Sequence, residues 1–399
     1  MLTVRQKVQI LSSSISAYIQ KQNNHCVKRK YKTNMSDAFI FRMLYSNKNS
    51  NQEINTASIN QYRHDHNMPI VSRSSLIDRE KKLKSSMLKD LCTILDSFIS
   101  ENGTANNQLP KSYVFMAADG VQSNMNKTLQ KNGYTVNKNE QTCNVLNIGL
   151  YNITYDFPEK LDTVKHHNEQ IALINAISNG VNYVNTVMIT DKFFWGHPIF
   201  KAFIDKKISF ICRIKNNSTL IDKNNNDSII QYNNTSLRVV TYYIDNEPYY
   251  LVTDLLNTEI FSIETLKMLY HKRWLIEEFF KYLKNNTKLS KLYEKNEENV
   301  KKTIYCSLIC AKLIHIMQNL LPKHTNPNMV INKRLLTFGL YQTLLLDIVY
   351  GFVNDNNIEM FFKIYFKYTH SQKGKHYDRI SITPFTKWYV KGRFVKLKT

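Results

Sequence analysis

Between Ser112 and Lys215 the chain alternates strand-like and helix-like runs, and no other feature limits its fold as much. SYVFMAAD, CNVLNIGLYNITYDF, YVNTVMITD and ISFICRIK are short stretches rich in β-branched and aromatic residues, and HHNEQIALINAIS and FKAFIDKK fall between the later ones with helical periodicity. Such alternation predicts an α/β core, with helices covering the faces of a sheet. Hydrophobic residues make up 43% of the 399 positions, enough for sizeable cores and against wholesale disorder. An Asn-rich polar stretch from Asn216 precedes two further strand candidates, 236–243 and 249–254, which predict a β insertion. After Phe261 the chain reads as mainly helical.

Residues 1–105 also read as helical. Ser36 is expected to cap a helix carrying Phe39, Ile40, Met43 and Leu44, and Ser72 to cap one containing Leu76, Ile77 and Leu83. With TASINQYRHDH and the turn HNMPIV between them, the second would suit a helix-turn-helix offering Arg73, Ser74, Ser75 and Arg79 to a DNA groove. A helical bundle with a solvated basic face is the other reading. The expected organisation is a helical region 1–105, an α/β core in two parts (106–215 and 261–320) around the insertion at 216–260, and a basic C-terminal region 321–399.

The 54 Lys and Arg against 32 Asp and Glu give a net charge of +22, which predicts a polyanionic partner, either nucleic acid or a membrane surface. The first 34 residues hold no acid, and KRKYK and the C-terminal KWYVKGRFVKLKT interleave cations with aromatics. Leu335 to Val353 is nearly long enough to span a bilayer, but Gln342 and Asp347 inside it predict a buried helix and no membrane association. The N-terminus lacks the apolar run of a secretory signal, and the six scattered cysteines form no CxxC pair, so a reducing, intracellular setting is expected. Cys306 and Cys310 read as small buried hydrophobes. The groups His64, His66 and Cys26, and His166, His167 and Glu169, lack the spacing of a metal site.

Asp119, followed by Gly120, and Asp191 each stand where a strand is expected to end. In open α/β sheets reactive groups gather at the carboxyl ends of strands, although an Asp there often only begins a turn. The segment LYHKRWLIEEFFKYLK adds a third carboxylate. Tyr270, Arg273, Glu277 and Lys284 are spaced 3, 4 and 7, which places them on one stripe of one predicted helix, and Ile276, Phe279, Phe280 and Leu283 form a separate apolar stripe.

The spacing Tyr-x2-Arg-x3-Glu-x6-Lys, with the wording RWLIEEFFKYLK around it, resembles the signature of the DDE transposases of the insertion sequence 4 type. MAADGV resembles the block around that family's first Asp, with Val121 where a Thr is common, and ITDKFFW with FICRIK resembles the block around the second. Asn168 and Glu169 resemble a block in the preceding helix, and YYLVTDLL the strand leading to the signature. The resemblance covers about Tyr113 to Met317. It implies a ribonuclease H-like catalytic core interrupted by a β-rich insertion, with helical terminal regions. It also implies a catalytic, metal-binding triad of Asp119, Asp191 and Glu277, with Tyr270, Arg273 and Lys284 contacting DNA.

The implied cofactor is Mg2+ or Mn2+, in two ions, which hard oxygen ligands favour over zinc. The implied partners are double-stranded DNA at transposon terminal repeats, target DNA, and a second copy of the chain in a synaptic dimer in bacterial cytoplasm or a nucleus. Trp195 and Trp274, near the second Asp and the Glu, have the chemistry to stack on a displaced base, but core packing is the expected role for both. The implied activity is metal-dependent cleavage at transposon ends followed by strand transfer of the 3'-hydroxyl. The rival readings are a domesticated, non-catalytic DNA-binding protein and a ribonuclease H-like nuclease without transfer activity.

Overall fold

In the computed structural model residues 2–26, 34–136, 142–165, 167–178, 183–320, 326 and 329–370 are described. The basic run KRKYK, the C-terminal KWYVKGRFVKLKT and His166 lie outside them, as does the Cys26 side chain.

Five helices come first: α1 (Val4–Cys26), α2 (Met35–Ser46), α3 (Gln52–Asp65), α4 (Arg73–Glu80) and α5 (Ser85–Asn102). Ser72 caps α4 as expected, its hydroxyl accepting from the Ser75 N–H at 3.2 Å. Asn34, not Ser36, caps α2: its side chain takes the Asp37 N–H while the Asp37 carboxylate takes the Asn34 N–H, a reciprocal box, and Ser36 is buried inside the helix. Phe39, Ile40, Met43 and Leu44 are buried as the periodicity required. The α3–α4 pair offers less to a groove than its sequence suggested. Seven residues join the helices, Arg79 is buried, and Arg73 is held by Gln52 and Glu53.

The α/β reading holds. The strands β1 (Val114–Asn126), β2 (Thr135–Val136), β3 (Thr142–Asn152), β4 (Phe157–Val164), β5 (Thr186–Thr190), β6 (Ser209–Arg213), β7 (Asp227–Tyr232), β8 (Thr235–Ile244), β9 (Glu247–Thr253) and β10 (Lys291–Leu292) form one mixed ten-stranded sheet. Where two strands were expected between 216 and 260 there are three, β7 to β9, and they extend the same sheet through an antiparallel β6–β9 pair. The turns Asn233–Asn234 and Asp245–Asn246 have positive φ, the conformation that lets two residues close a tight hairpin and one Asn and Asp tolerate.

Helices cover both faces. On one, α6 (Glu169–Ser178) and α7 (His197–Asp205) enclose Met116, Ala118, Ile148, Met188 and Phe210. On the other, α5, α8 (Ile263–Lys272), α9 (Trp274–Asn286) and α10 (Glu297–Asn319) pack over Phe115, Ala117, Val187 and Ile211. Residues alternate between these faces along each strand, so the odd-numbered positions of β1, including 119, look toward α8 and α9, as do Val187 and Ile189 of β5.

Helix α10 is buried on almost every side, and its two buried lysines are paired. Lys302 meets the Glu80 carboxylate and carbonyl, both at 3.0 Å, and Lys312 meets Asp96 and the Glu159 carbonyl. Arg42 joins the first cluster through Glu80 at 3.5 Å and also pairs with Glu294 at 3.1 Å, fastening the N-terminal helices to the core. The apolar stretch 335–353 forms α11 (Lys333–Gly339), a π-helical turn and α12 (Leu345–Tyr350), which pack with α13 (Asp355–Tyr365) against α1 and α2. A short pair, β11 (Met329–Ile331) and β12 (Tyr368–His370), lies apart from the main sheet. Asp347 accepts from Tyr62 and Asn357, both at 2.7 Å, and no helix among the described residues is long and apolar enough to cross a membrane. Cys306 and Cys310 are buried, as expected.

Candidate active site

The parallel pairing of β1 with β5 ends at Ala118 opposite Thr190, so the next residues, Asp119 and Asp191, are neighbours across the ladder. After that point the two strands behave differently. Asp191 ends its strand and caps a 3₁₀ turn, its carboxylate accepting the Lys192 N–H. Asp119 does not end β1, contrary to expectation, because β3 remains paired with β1 as far as Asn126. The edge of β1 that β5 leaves is taken up again by β10 only at Asn124. The interval from Asp119 to Ser123 on that edge is where the sheet opens.

Two glycines bring helices down to this opening. Gly149 lies opposite Asp119 on β3, and a Cβ there would stand 2.7 Å from the Phe280 ring of α9, so only glycine lets that helix seat so low. Gly120 does the same on the opposite face, where a Cβ would meet the Glu169 carboxylate at 2.4 Å. The helix carrying Glu169 is tied to the Asp191 loop by Gln170, which donates to the carbonyls of Phe193 at 3.0 Å and Trp195 at 3.2 Å. Reading the sequence for carboxylates did not find these glycines. The signal was there, a lone Gly within a strand pattern.

The signature segment is two helices rather than one. The Arg273 N–H closes on the Tyr270 carbonyl and the Ile276 N–H on the Arg273 carbonyl, each at 3.1 Å, so a tightened 3₁₀-type turn at Arg273, the one residue between them, separates α8 from α9. Ile276, Phe279, Phe280 and Leu283 are buried as expected. Tyr270 is buried, Lys284 is exposed on the last turn of α9, and Glu277 is one-third exposed. Trp195 packs on Phe200 with ring centroids 4.4 Å apart, in keeping with a core role, but Trp274 is 55% exposed and is not a core residue.

Arg273 joins two of the three acids. Its guanidinium reaches Glu277 at 2.6 Å and Asp119 at 3.4 Å, its side chain is 8% exposed, and it lies 5.8 Å from the Tyr270 ring centroid. The buried Nε has no partner among the described residues. Burial pushes the Asp119 carboxyl up to about 6, opposed by the Gly120 N–H and Arg273 and reinforced by Glu169 and Glu277. Burial, with the nearby Asp191 charge, raises Glu169 as well. Four carboxylates therefore face one opening with a single guanidinium between two of them. Among the described residues no three His, Cys, Asp or Glu side chains are close enough to grip one ion together.

The family described as "Transposase DDE domain" matches residues 110–313. A curated relative, described as a putative transposase for insertion sequence element IS4SA from Synechocystis sp. (strain ATCC 27184 / PCC 6803 / Kazusa), is 33% identical over 132 residues. That match spans 32% of this chain and 38% of the relative's length. A solved structure, the piggyBac transposase synaptic complex with hairpin DNA, aligns at a TM-score of 0.43 and 10% identity over 94% of this chain and 86% of that one, a likeness at which neither fold nor function carries over.

Proposed function

The chain belongs to the transposase DDE domain family, and from that premise we propose that it is a DNA transposase that cuts at the ends of its element and transfers the freed 3'-hydroxyl into target DNA. The observation that carries the reading is the meeting of Asp119 and Asp191 at adjacent strand positions, with Glu277 tied to Asp119 through Arg273. The core is assigned as ribonuclease H-like. That assignment is supported by the strand sequence β4–β3–β1–β5–β6, antiparallel through the first three and parallel through the last three, with helices on both faces. Residues 106–215 and 261–320 would form this core, 216–260 its insertion, and 1–105 and 321–399 the helical and basic regions that flank it.

The donor set fits a hard divalent cation. It consists of carboxylate oxygens alone, and the guanidinium between Asp119 and Glu277 is a cation already accepted there. Asp119, Asp191 and Glu277 would hold two Mg2+ or Mn2+ ions, which when bound supply the Lewis acidity for an in-line phosphodiester displacement. The remaining work belongs to the chain. Glu277, held by Arg273 at 2.6 Å, would be a ligand of the ion. Arg273 has the planar fork that would bind a phosphate through two hydrogen bonds, whereas Lys284 would act as a point charge. Tyr270 sets the orientation of Arg273 from beneath. The partners would be double-stranded DNA at the terminal repeats, target DNA and a second copy of the chain.

The test is to incubate the protein with Mg2+ and a linear duplex carrying the DNA that flanks its gene, beside Asp191→Ala and Glu277→Ala. Cleavage by the wild type alone, with DNA binding kept by both variants, is expected. Equal cleavage by all three overturns the triad, and binding without cleavage by the wild type supports a DNA-binding protein without catalysis.

A further inference from the structure

Helix α9 continues the line of Glu277 as a row of lysines. Lys281 and Lys284 follow it at four and seven residues, which at about 100° per residue stay within about 40° of one line, and Lys288 comes after the extended Thr287 that ends the helix. Lys281 and Lys284 are exposed on the helix. Lys288 lies just past the helix end and is held there by the Tyr45 ring, its Nζ 3.6 Å from the centroid.

The N-terminal helices add to the row rather than merely touching it. The chain after α2 is pinned to the end of α9 by the Lys48 N–H on the Asn286 carbonyl at 3.2 Å and by a bridge between Asn47 and Thr287. The Lys48 ammonium reaches the Lys284 carbonyl at 3.4 Å. Lys291, exposed on β10, lies 5.2 Å from the Tyr293 ring.

None of these five lysines has a carboxylate within ion-pair distance among the described residues, whereas Lys81, Lys165, Lys301, Lys302 and Lys312 all do. The nearby acids are otherwise placed: Glu294 is buried against Arg42, and Glu278 lies about 100° around the helix from Glu277. Burial pushes the Lys288 ammonium down, and Arg42 adds to this against the pull of Glu294. Like charges packed this closely repel one another unless a polyanion lies across them.

We propose that Lys48, Lys281, Lys284, Lys288 and Lys291 form a track for the phosphates of one DNA strand, running from the cleavage centre across the seam between the N-terminal helices and α9. The proposal rests on the transposase reading and deepens it by placing the substrate backbone. Along the helix axis Lys284 stands ~10 Å beyond Glu277, at about 1.5 Å per residue, and Lys288 lies past the end of the helix. A strand advances about 3.4 Å per nucleotide, so the Lys284 contact falls roughly three nucleotides from the cut phosphate and the Lys288 contact beyond it. Lysine ammoniums on phosphates carry no base readout, so the track holds DNA without selecting sequence.

The test measures the affinity of the full chain, wild type and Lys48→Ala/Lys288→Ala/Lys291→Ala, for the flanking-DNA duplex over a range of NaCl concentrations. Three lost phosphate contacts should make the slope of log affinity against log salt shallower by ~2.7, at about 0.9 per contact. Backbone protection beyond the nucleotide held by Lys284 should disappear while that at Lys284 remains, and Lys→Arg at the three changed positions should restore both. Should the triple variant fold poorly, Lys48→Ala/Lys291→Ala, which changes only exposed side chains, is expected to flatten the slope by ~1.8. An unchanged slope in the folded variant overturns the track. It leaves the transposase reading intact if the wild type still cuts and Glu277→Ala does not, whereas cleavage by Glu277→Ala would overturn that reading and leave the slope result standing.

Discussion

Gly149→Ala adds one methyl group at the point where α9 sits on the sheet. The new Cβ would stand 2.7 Å from two Phe280 ring atoms and 3.5 Å from Ile276 Cδ1. Apolar carbons rest at about 3.5 to 4 Å, so the ring has to retreat by roughly 1 Å. It has little room, since Phe280 is buried and its ring packs beside that of Phe279 at 5.5 Å. Overpacking of this kind costs ~1–3 kcal/mol, against the smaller gain that Ala normally brings over Gly in a strand. Glu277 is one turn before Phe280 on the same helix, and Gly149 is the ladder partner of Asp119. Any shift of α9 therefore moves one proposed ligand against another, and a misplacement of about 1 Å costs ~10²-fold in rate. Single-turnover cleavage of the flanking-DNA duplex, read beside a thermal melt, measures both effects. Gly149→Ala/Phe280→Leu, which takes back the volume, should recover most of each. Wild-type cleavage and an unchanged melt in Gly149→Ala would refute the idea that this glycine sets the height of the helix.

Two further predictions concern stability. His315 is buried, with its Nδ1 3.1 Å from the Asp156 carbonyl; burial first, then Lys333, hold its pKa down to about 3. An unfolded His takes up its proton near pH 6.5, so from there down to about 3 the unfolded chain binds more protons and stability falls by ~1.4 kcal/mol per pH unit through this group. Melts at stepped pH should show a smaller acid loss in His315→Gln, and equal losses would contradict the assignment. Lys302→Met strips the buried Glu80 carboxylate of its ammonium at 3.0 Å, leaving Arg42 at 3.5 Å. Breaking a buried pair from one side costs ~3–5 kcal/mol; with Arg42 remaining, the lower end is expected in denaturant unfolding, and a variant as stable as the wild type would refute it.

What the sequence made legible was whatever depends on local pattern. The strand runs from Ser112, the Ser72 cap and the apolar stripe of Ile276, Phe279, Phe280 and Leu283 each depend on residues within a few positions, and each is found. The misreadings share a different origin. Ser36 had the right chemistry for a cap, but Asn34 and Asp37 make the reciprocal pair. Asp119 had the look of a strand end because Gly120 follows, but β1 is kept going by β3, a strand that pairs with it from beyond Thr142. Trp274 had the composition of a core residue, yet it sits on the outward side of α9.

The placement of Arg273 shows why such limits fall where they do. Spacing alone put Tyr270, Arg273, Glu277 and Lys284 on one stripe, but a stripe has no address until something opposes it. Gly149 lowers the start of α9 onto the sheet beside Asp119, so the first part of the stripe faces carboxylates and the last part does not. Arg273 is consequently buried between Asp119 and Glu277, while Lys284, about two turns further along from Glu277, is exposed. The chain's surplus of +22 therefore divides by depth as well as by sequence: a guanidinium enclosed by acids at the centre, and lysines without acid partners leading away from it.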